Sequence, residues 1–438
     1  MRNRALIVAG LINMTISLYA QPALQYPSHT EVVHPIHKTS FNNEGTCPER
    51  RQGGNPRVQS GYSVFSGSMD GNRQVDPQIA VGGGYVMEGT NMGLLIFRKD
   101  GTFVQGVSQK CFNQGIDPKL FFDIHHRVFV FDLWWYYDPE KRKPVNIAVS
   151  ETEDPTGAWN IYPVSRTEEV DGGGIGYSKG WVAYSYPGGE ENTFVMKAAA
   201  LKTGAPATVY HFKGSLGHPV FGQDDTEDLY FFDITDEGAF VIRRVFADSA
   251  GNPVCQELSR RPHQLRYFDY PPVSPQRGTL QMVASGDRNP KNLVLQNGSI
   301  WFSQTVNCEG RAAVQWHQVR VSDGQIRQTG IIRSDTSSFI QTTLAVNARE
   351  DVLIGFQEVN ERSYVSPRMA FRKKGDRKGT LREICSLGEG TGATQGTSWG
   401  DYSGSIIDGD NLRDLWTIQS IANDKGRGET VIVRWPGN

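Results

Sequence analysis

Seven returns of one hairpin pattern, 48 glycines beside an 11% share of Phe, Tyr and Trp in 438 residues, and no long run of helical period predict an all-β chain. Strand pairs of this kind, at intervals of about 40–70 residues, suit a seven-bladed β-propeller with one four-stranded sheet per blade.

Each return opens on a polar residue, often followed by proline, and continues as apolar run, tight turn and second apolar run. The first is Asp76-Pro77 with Ile79 to Val81, a Gly82-Gly83-Gly84 turn, then Tyr85 to Met87. The second is Asp117-Pro118 with Leu120 to Phe122, a turn from Asp123 to Arg127, then Val128 to Phe131. A third starts near Asp171, turns at Ser178-Lys179-Gly180 and resumes at Trp181. The fourth opens at His218-Pro219, turns over Asp224 to Asp228 and resumes at Leu229. The fifth is Asn289-Pro290 with Leu293 to Leu295, an Asn297-Gly298 turn, then Ile300 to Phe302. The sixth runs from Gln341, turns over Asn347 to Asp351 and resumes at Val352; the seventh runs from Asp401-Tyr402, turns over Asp408 to Asn411 and resumes at Leu415. Between returns there is room for a second hairpin, such as Val145–Ser150 with Trp159–Val164. Gly and Pro interrupt every candidate helix.

Before the first return the chain reads differently. In residues 1–20, Arg2 and Arg4 precede an apolar stretch from Ala5 to about Ile16, and Ala20 closes it, which is the layout of a signal peptide. The stretch is short for a membrane anchor, so a secreted, periplasmic or cell-surface protein with no membrane span after cleavage is expected. Residues 21–57 are polar and aperiodic and read as an extended N-terminal segment, leaving 58–438 for the propeller. A net charge of −2 argues against a nucleic-acid partner, which needs a concentrated basic surface. Five cysteines without a CxxC pair give no zinc spacing; an exported chain would form one or two disulfides from them.

In a propeller the first strand of each blade lines the central channel, so the residues that open the seven returns should share one end of it. That end would receive Asp76, Asp117, Asp171, His218, Asn289, Gln341 and Asp401, with the aromatics that follow second strands: Trp134, Trp135, Tyr136, Tyr137, Tyr184 and Tyr186. His125 and His126 fall at the opposite end and read as turn residues.

The second half resembles a broad group of secreted bacterial seven-bladed propeller proteins. The likeness lies in Pro275-Gln276-Arg277-Gly278, Ser285-Gly286-Asp287-Arg288, Gln296 to Trp301, and Trp399-Gly400-Asp401-Tyr402-Ser403-Gly404. In the first half it lies in Val75-Asp76-Pro77 and Ser150 to Trp159. It implies the fold over about residues 70–420. Some such propellers are polysaccharide lyases, of the ulvan lyase and rhamnose–glucuronate lyase types, which implies a polysaccharide or oligosaccharide substrate containing uronic acid. No lyase motif transfers residue by residue, and the roles below rest on position and chemistry.

Uronate β-elimination removes a proton alpha to a carboxylate, so it needs a cation to neutralise that carboxylate and a base of suitable pKa. His218, the one histidine that opens a return, is the expected base; Arg73 and Arg288 would clamp the carboxylate; Tyr184 and Tyr402 would donate the proton. Trp134 and Trp135 would stack on sugar faces, with Asn289, Gln341 and Tyr186 as further contacts. No cofactor is required. Asp76, Asp117 and Asp401 offer oxygen ligands that would suit calcium, although each aspartate capping backbone amides beside its turn is the favoured reading. Two other functions fit the same channel end: a non-catalytic propeller that binds glycan or protein, and a glycoside hydrolase with paired aspartates.

Overall fold

The computed structural model of the chain describes residues 23–39, 41, 49, 57–59, 61–69, 74–112, 115–134, 143–166, 172–186 and 193–437. These are organised as six hydrogen-bonded sheets and one short helix, Ala198–Lys202, so the all-β expectation holds. The expected signal peptide, together with Arg73, Trp135, Tyr136, Tyr137 and Asp171, lies outside the described residues.

The sheets are antiparallel meanders taken in chain order. The first runs Gln78–Gly82, Tyr85–Thr90, Gly93–Arg98 and Phe103–Ser108. The second runs Ile116–Asp123, Val128–Trp134, Val145–Ser150 and Trp159–Val164. A ten-stranded sheet holds two further meanders: Gly174–Tyr177 to Ala207–Phe212 (the third here) and Lys291–Gln296 to Ile326–Ile332 (the fifth). The two-residue strand Phe221–Gly222 joins them by parallel pairing on both sides. The fourth meander starts at His218–Pro219 and continues through Leu229–Ile234, Ala239–Ala247 and Pro253–Pro262. The sixth spans Ser338–Val346 to Ile384–Ser386. The seventh comprises Gly404–Ile407, Leu415–Ala422 and Gly428–Trp435, and Tyr62–Ser66 from the other end of the chain pairs with Gly428–Trp435 as its next strand.

Turn chemistry sets the register of these hairpins. Asn297 and Gly298 both have left-handed φ (53° and 65°), the pair that a two-residue type I′ turn demands. Many strands lack the alternation of a half-exposed sheet because both faces are covered: every residue of Val128–Trp134 is buried. Large aromatics fill the space between successive first strands. Phe121 stacks on Tyr177 with centroids 4.4 Å apart, and both lie within 6.0 Å of the Phe221 ring. Burying each such side chain stabilises the fold by roughly 1.5–3 kcal/mol, and the indole N–H groups of Trp159, Trp301 and Trp416 each find an oxygen acceptor.

The first strands also make contact in a cycle. Each touches the first strand of the next meander, except that the fourth reaches the fifth through Phe221–Gly222, and Gly404–Ile407 touches Gln78–Gly82. Among the described residues no single sheet closes on itself; the cycle is one of packing. The N-terminal stretch read as an extension runs along the outside: Ile36–Lys38, His29–Val33 and Leu24–Gln25 add edge strands to the second, third and fourth meanders. These strands are two to five residues long, too short to show a period in sequence.

Candidate functional site

Four first strands enter through the same local distortion. Asp76, Asp117, Asn292 and Gln341 all have left-handed φ, between 47° and 51°. In three of them the pairing register slips beside that residue, at Ile116/Lys119, Lys291/Val294 and Ile340/Thr343. A bulge of this kind bends the strand and re-aims side chains. In the fifth meander the residue in this conformation is Asn292, three positions after Asn289; Asn289 instead closes a local turn on Asp287.

Residues far apart in sequence meet here. Asp76 Oδ1 accepts the backbone N–H groups of Asp401 (2.6 Å) and Tyr402 (3.3 Å), and its Oδ2 accepts Asn91 Nδ2 (2.7 Å). Asn91 Oδ1 accepts the N–H of Asp117 at 2.7 Å, and Gln341 Nε2 donates to the carbonyl of Gly400. Asp76 therefore caps amides. Asp401 is exposed, and the described residues hold no group of three or more His, Cys, Asp or Glu side chains placed to bind a metal. Amide capping is the favoured reading for Asp76, and the calcium alternative for Asp76, Asp117 and Asp401 finds no such grouping among the described residues.

Beside this network lies a pocket lined by Lys119, His218, Lys291, Tyr402 and the Gly172–Gly174 backbone. It encloses about 50 Å³ within about 500 Å³ of space open to solvent, so a ligand can place a small group inside and keep its remainder in the cleft. Two lysine nitrogens approach the Tyr402 ring, Lys119 Nζ at 2.6 Å and Lys291 Nζ at 4.9 Å from its centroid. Lys291 is tethered to Asp287 at 3.3 Å. Lys119 Nζ is buried without a hydrogen-bond partner among the described residues. Burial pulls Lys119 down to about 7, against the opposing pull of Asp117 and Asp132. The same burial pushes Asp132 and Asp76 up to about 7, and repulsion from Asp117 adds to the shift at Asp76.

His218 is half-buried at the pocket wall. Burial, then the charge on Lys291, lowers its pKa, while Asp233 and Asp287 oppose the change, so the ring is neutral at pH 7. Burial and the carboxylates of Asp117, Asp401, Asp76 and Asp287 hold the Tyr402 phenol well above its ordinary value, which keeps it a proton donor. The site thus joins two lysine amines, one of them lowered towards neutrality by burial, a neutral imidazole and a protonated phenol.

The other expected residues are placed differently. Arg288 turns away from this pocket: it pairs with Asp236, donates to the Phe268 carbonyl (3.2 Å) and lies 4.1 Å and 4.5 Å from the Phe268 and Tyr270 ring centres. Its assignment as carboxylate clamp is corrected, because those partners already occupy the guanidinium. Tyr184 sits one layer down: a Cβ at Gly173 would collide with its hydroxyl, and that hydroxyl is buried without a partner among the described residues. Trp134 is fully buried in the core and has no face to offer a sugar, which corrects its stacking role. Tyr186 packs half-buried against the same core. Gln341 is buried and committed to Gly400. His126 Nδ1 holds Asp123 at 2.8 Å and His125 Nε2 meets the Gly222 carbonyl at 2.9 Å, as befits turn residues.

Lys119 and Lys291 were the residues that the sequence reading passed over. Both stand two positions after the residue taken to open the strand, in Asp117-Pro118-Lys119 and Asn289-Pro290-Lys291. The period of a strand puts such residues on one face, and that was the available signal.

No family model matches the chain, and no curated protein does. Several solved structures are similar to it in shape. A structure of the Dos1 propeller is 8% identical, with 86% of this chain and 94% of that chain covered and a TM-score of 0.42. An ulvan lyase, described as a new family of polysaccharide lyase, is 9% identical over 91% and 95% of the two chains, with a TM-score of 0.39. A protein of unknown function from Dyadobacter fermentans DSM 18053 is 7% identical over 93% and 99%, again at 0.39. At these scores the likeness assigns no function to this chain.

Proposed function

We propose that the chain is a seven-bladed β-propeller that cleaves uronic-acid-containing glycans by β-elimination at the pocket where its first strands begin. The observation that carries the reading is the convergence of Lys119, Lys291, His218 and Tyr402 on one small pocket that opens to solvent. Lys119 and Lys291 take the substrate carboxylate and stabilise the charge that builds on it, an effect worth about 2.7–4 kcal/mol per donor. The neutral His218 imidazole accepts the proton at C5. The electrons of that C–H bond form the C4–C5 double bond, the C4–O bond breaks, and the departing oxygen takes a proton from the Tyr402 hydroxyl. The products are a new chain end bearing a hydroxyl and an unsaturated uronate, with His218 protonated and Tyr402 deprotonated until solvent exchange resets them. An export signal, as expected from residues 1–20, would put this work outside the cytoplasm; among the described residues no helix is long and apolar enough to cross a membrane.

The test is purified chain incubated with rhamnose–glucuronate-capped arabinogalactan, ulvan and other uronic-acid glycans. Ultraviolet absorbance of the unsaturated uronate is followed beside reducing ends. Rising absorbance supports the reading. New reducing ends without absorbance indicate hydrolysis, and binding without turnover indicates a non-catalytic glycan-binding protein.

A further inference from the structure

A second cleft, unrelated to the first strands, lies where the outer strands of the fourth and fifth meanders meet. Its walls include Phe240, Arg261, His263 and Gln264 on one side and Gly324 and Gln325 on the other, around a volume of about 290 Å³. That is near the lower end for small-molecule sites, roughly 300 Å³, and suits one monosaccharide unit.

The chemistry of the lining is one-sided. The backbone N–H of Leu265 donates to His263 Nδ1 at 3.3 Å, so that nitrogen carries no proton and Nε2 must carry it in the neutral ring. His263 lines the cleft and is only 7% exposed, and its Nε2 is buried with no partner among the described residues, which leaves an N–H without an acceptor. Arg261 stands exposed beside it, with one long bond to the Asp323 carbonyl (3.4 Å). The Asp323 carboxylate is already engaged by Arg320 through two nitrogens. Gln325 spends its amide oxygen on Arg320 and keeps its N–H groups. Behind His263, Phe268 packs at 4.3 Å and carries Arg288, whose charge is paired with Asp236. Arg261 is thus the cation of the lining, beside the donors of His263 and Gln325 and the apolar Phe240, Pro262 and Ile326.

We infer that this cleft is a second binding site, which takes the carboxylate or sulfate group of an acidic sugar through His263 Nε2–H and Arg261. The site shares a ligand class with the function proposed above and none of its catalytic groups, so the two stand or fall separately.

Full-length chain carrying nitrogen-15 histidine is titrated with sodium glucuronate, sodium sulfate and methyl glucoside, and the His263 Nε2 resonance is followed. The expected result is a saturable shift with an anion and none with the neutral glucoside. Response to glucuronate alone identifies a carboxylate site, and response to sulfate identifies a sulfate-ester site. The shift persists in Lys119→Met, which lacks a cation of the other pocket. By calorimetry, Arg261→Gln, an exposed substitution, weakens the anion at least about five-fold, and His263→Phe, which keeps the ring packing, abolishes binding. A flat resonance with both anions, an equal response to methyl glucoside, or unchanged affinity in Arg261→Gln overturns the site. A responding His263 in a chain that degrades no glycan leaves this site standing and removes the lyase.

Discussion

The two ends of the first strands follow opposite rules. At the far end, the N–H groups of Gly83 and Gly84 donate to the two oxygens of Asp410 (2.9 Å and 2.8 Å), and those of Asn297 and Gly298 donate to Asp224 (2.7 Å and 2.8 Å). In both cases the aspartate comes from the turn of the preceding meander, so each hairpin is capped by its neighbour. Asp410 is also held by Lys99 (2.6 Å) and Arg127 (2.8 Å). At the pocket end, Lys119 Nζ, Asp132 Oδ2 and Tyr184 Oη are buried without a partner among the described residues. An unmade buried hydrogen bond costs about 1–3 kcal/mol, more for a charged group. The aspartates that cap the far turns serve stability, whereas these three pocket-end atoms stay unspent, as groups at sites of chemistry do.

Substitutions at each end sharpen that contrast. The largest effect is expected from His218→Ala: loss of the base lowers kcat by about 10²–10⁴-fold with the urea midpoint unchanged. Lys119→Met follows, with a loss of about 10²–10³-fold and a midpoint that holds or rises, since a buried ammonium is removed. In the parent chain the rate falls above about pH 7 as Lys119 gives up its proton. Lys119→Arg keeps its charge there and carries that limb to higher pH in a pH–rate profile. Asp410→Ala should do the reverse of both: a stability loss of about 1–3 kcal/mol in urea denaturation, with the rate unaltered. Equal damage to rate and stability from either Lys119→Met or Asp410→Ala would erase the distinction between the ends.

The smallest effect is a slope. Asp132 holds its proton up to about 7 in the folded chain against an ordinary value of 3.8. Between those values the folded chain binds more protons than the unfolded one, so stability is full below the lower value and declines as pH rises through the upper one. Asp132→Asn flattens that decline when urea midpoints are compared at pH 5 and 7; the raised Asp76 leaves a residual slope of the same sign.

The sequence made the strands and turns readable because hairpin chemistry is local. Asn297-Gly298 and the Gly82-Gly83-Gly84 run announce their turns, and the polar residue before each first strand marks where it starts. The site was read less well, for physical reasons. The partners that divert Arg288, Asp236 and Phe268, lie 20 or more residues away along the chain. Trp134 sits in a strand buried on both faces, so alternation could not distinguish core from pocket. The bulge that makes Asn292 the counterpart of Asp117 shifts the count in a way that no residue type announces. Lys119 and Lys291 lie within reach of the two-residue period, directly after each proline.

The strand Tyr62–Ser66 has a consequence for how the molecule is made. Its partner, Gly428–Trp435, lies hundreds of residues further along the chain and is synthesised well after it. Until then the early strand presents an unpaired edge, and in a cell that is the interval in which a foreign strand can take the vacant place. Deleting residues of Gly428–Trp435 therefore acts like opening a buckle: the damage reaches a strand hundreds of residues earlier in the chain, and aggregation during production is where it shows first.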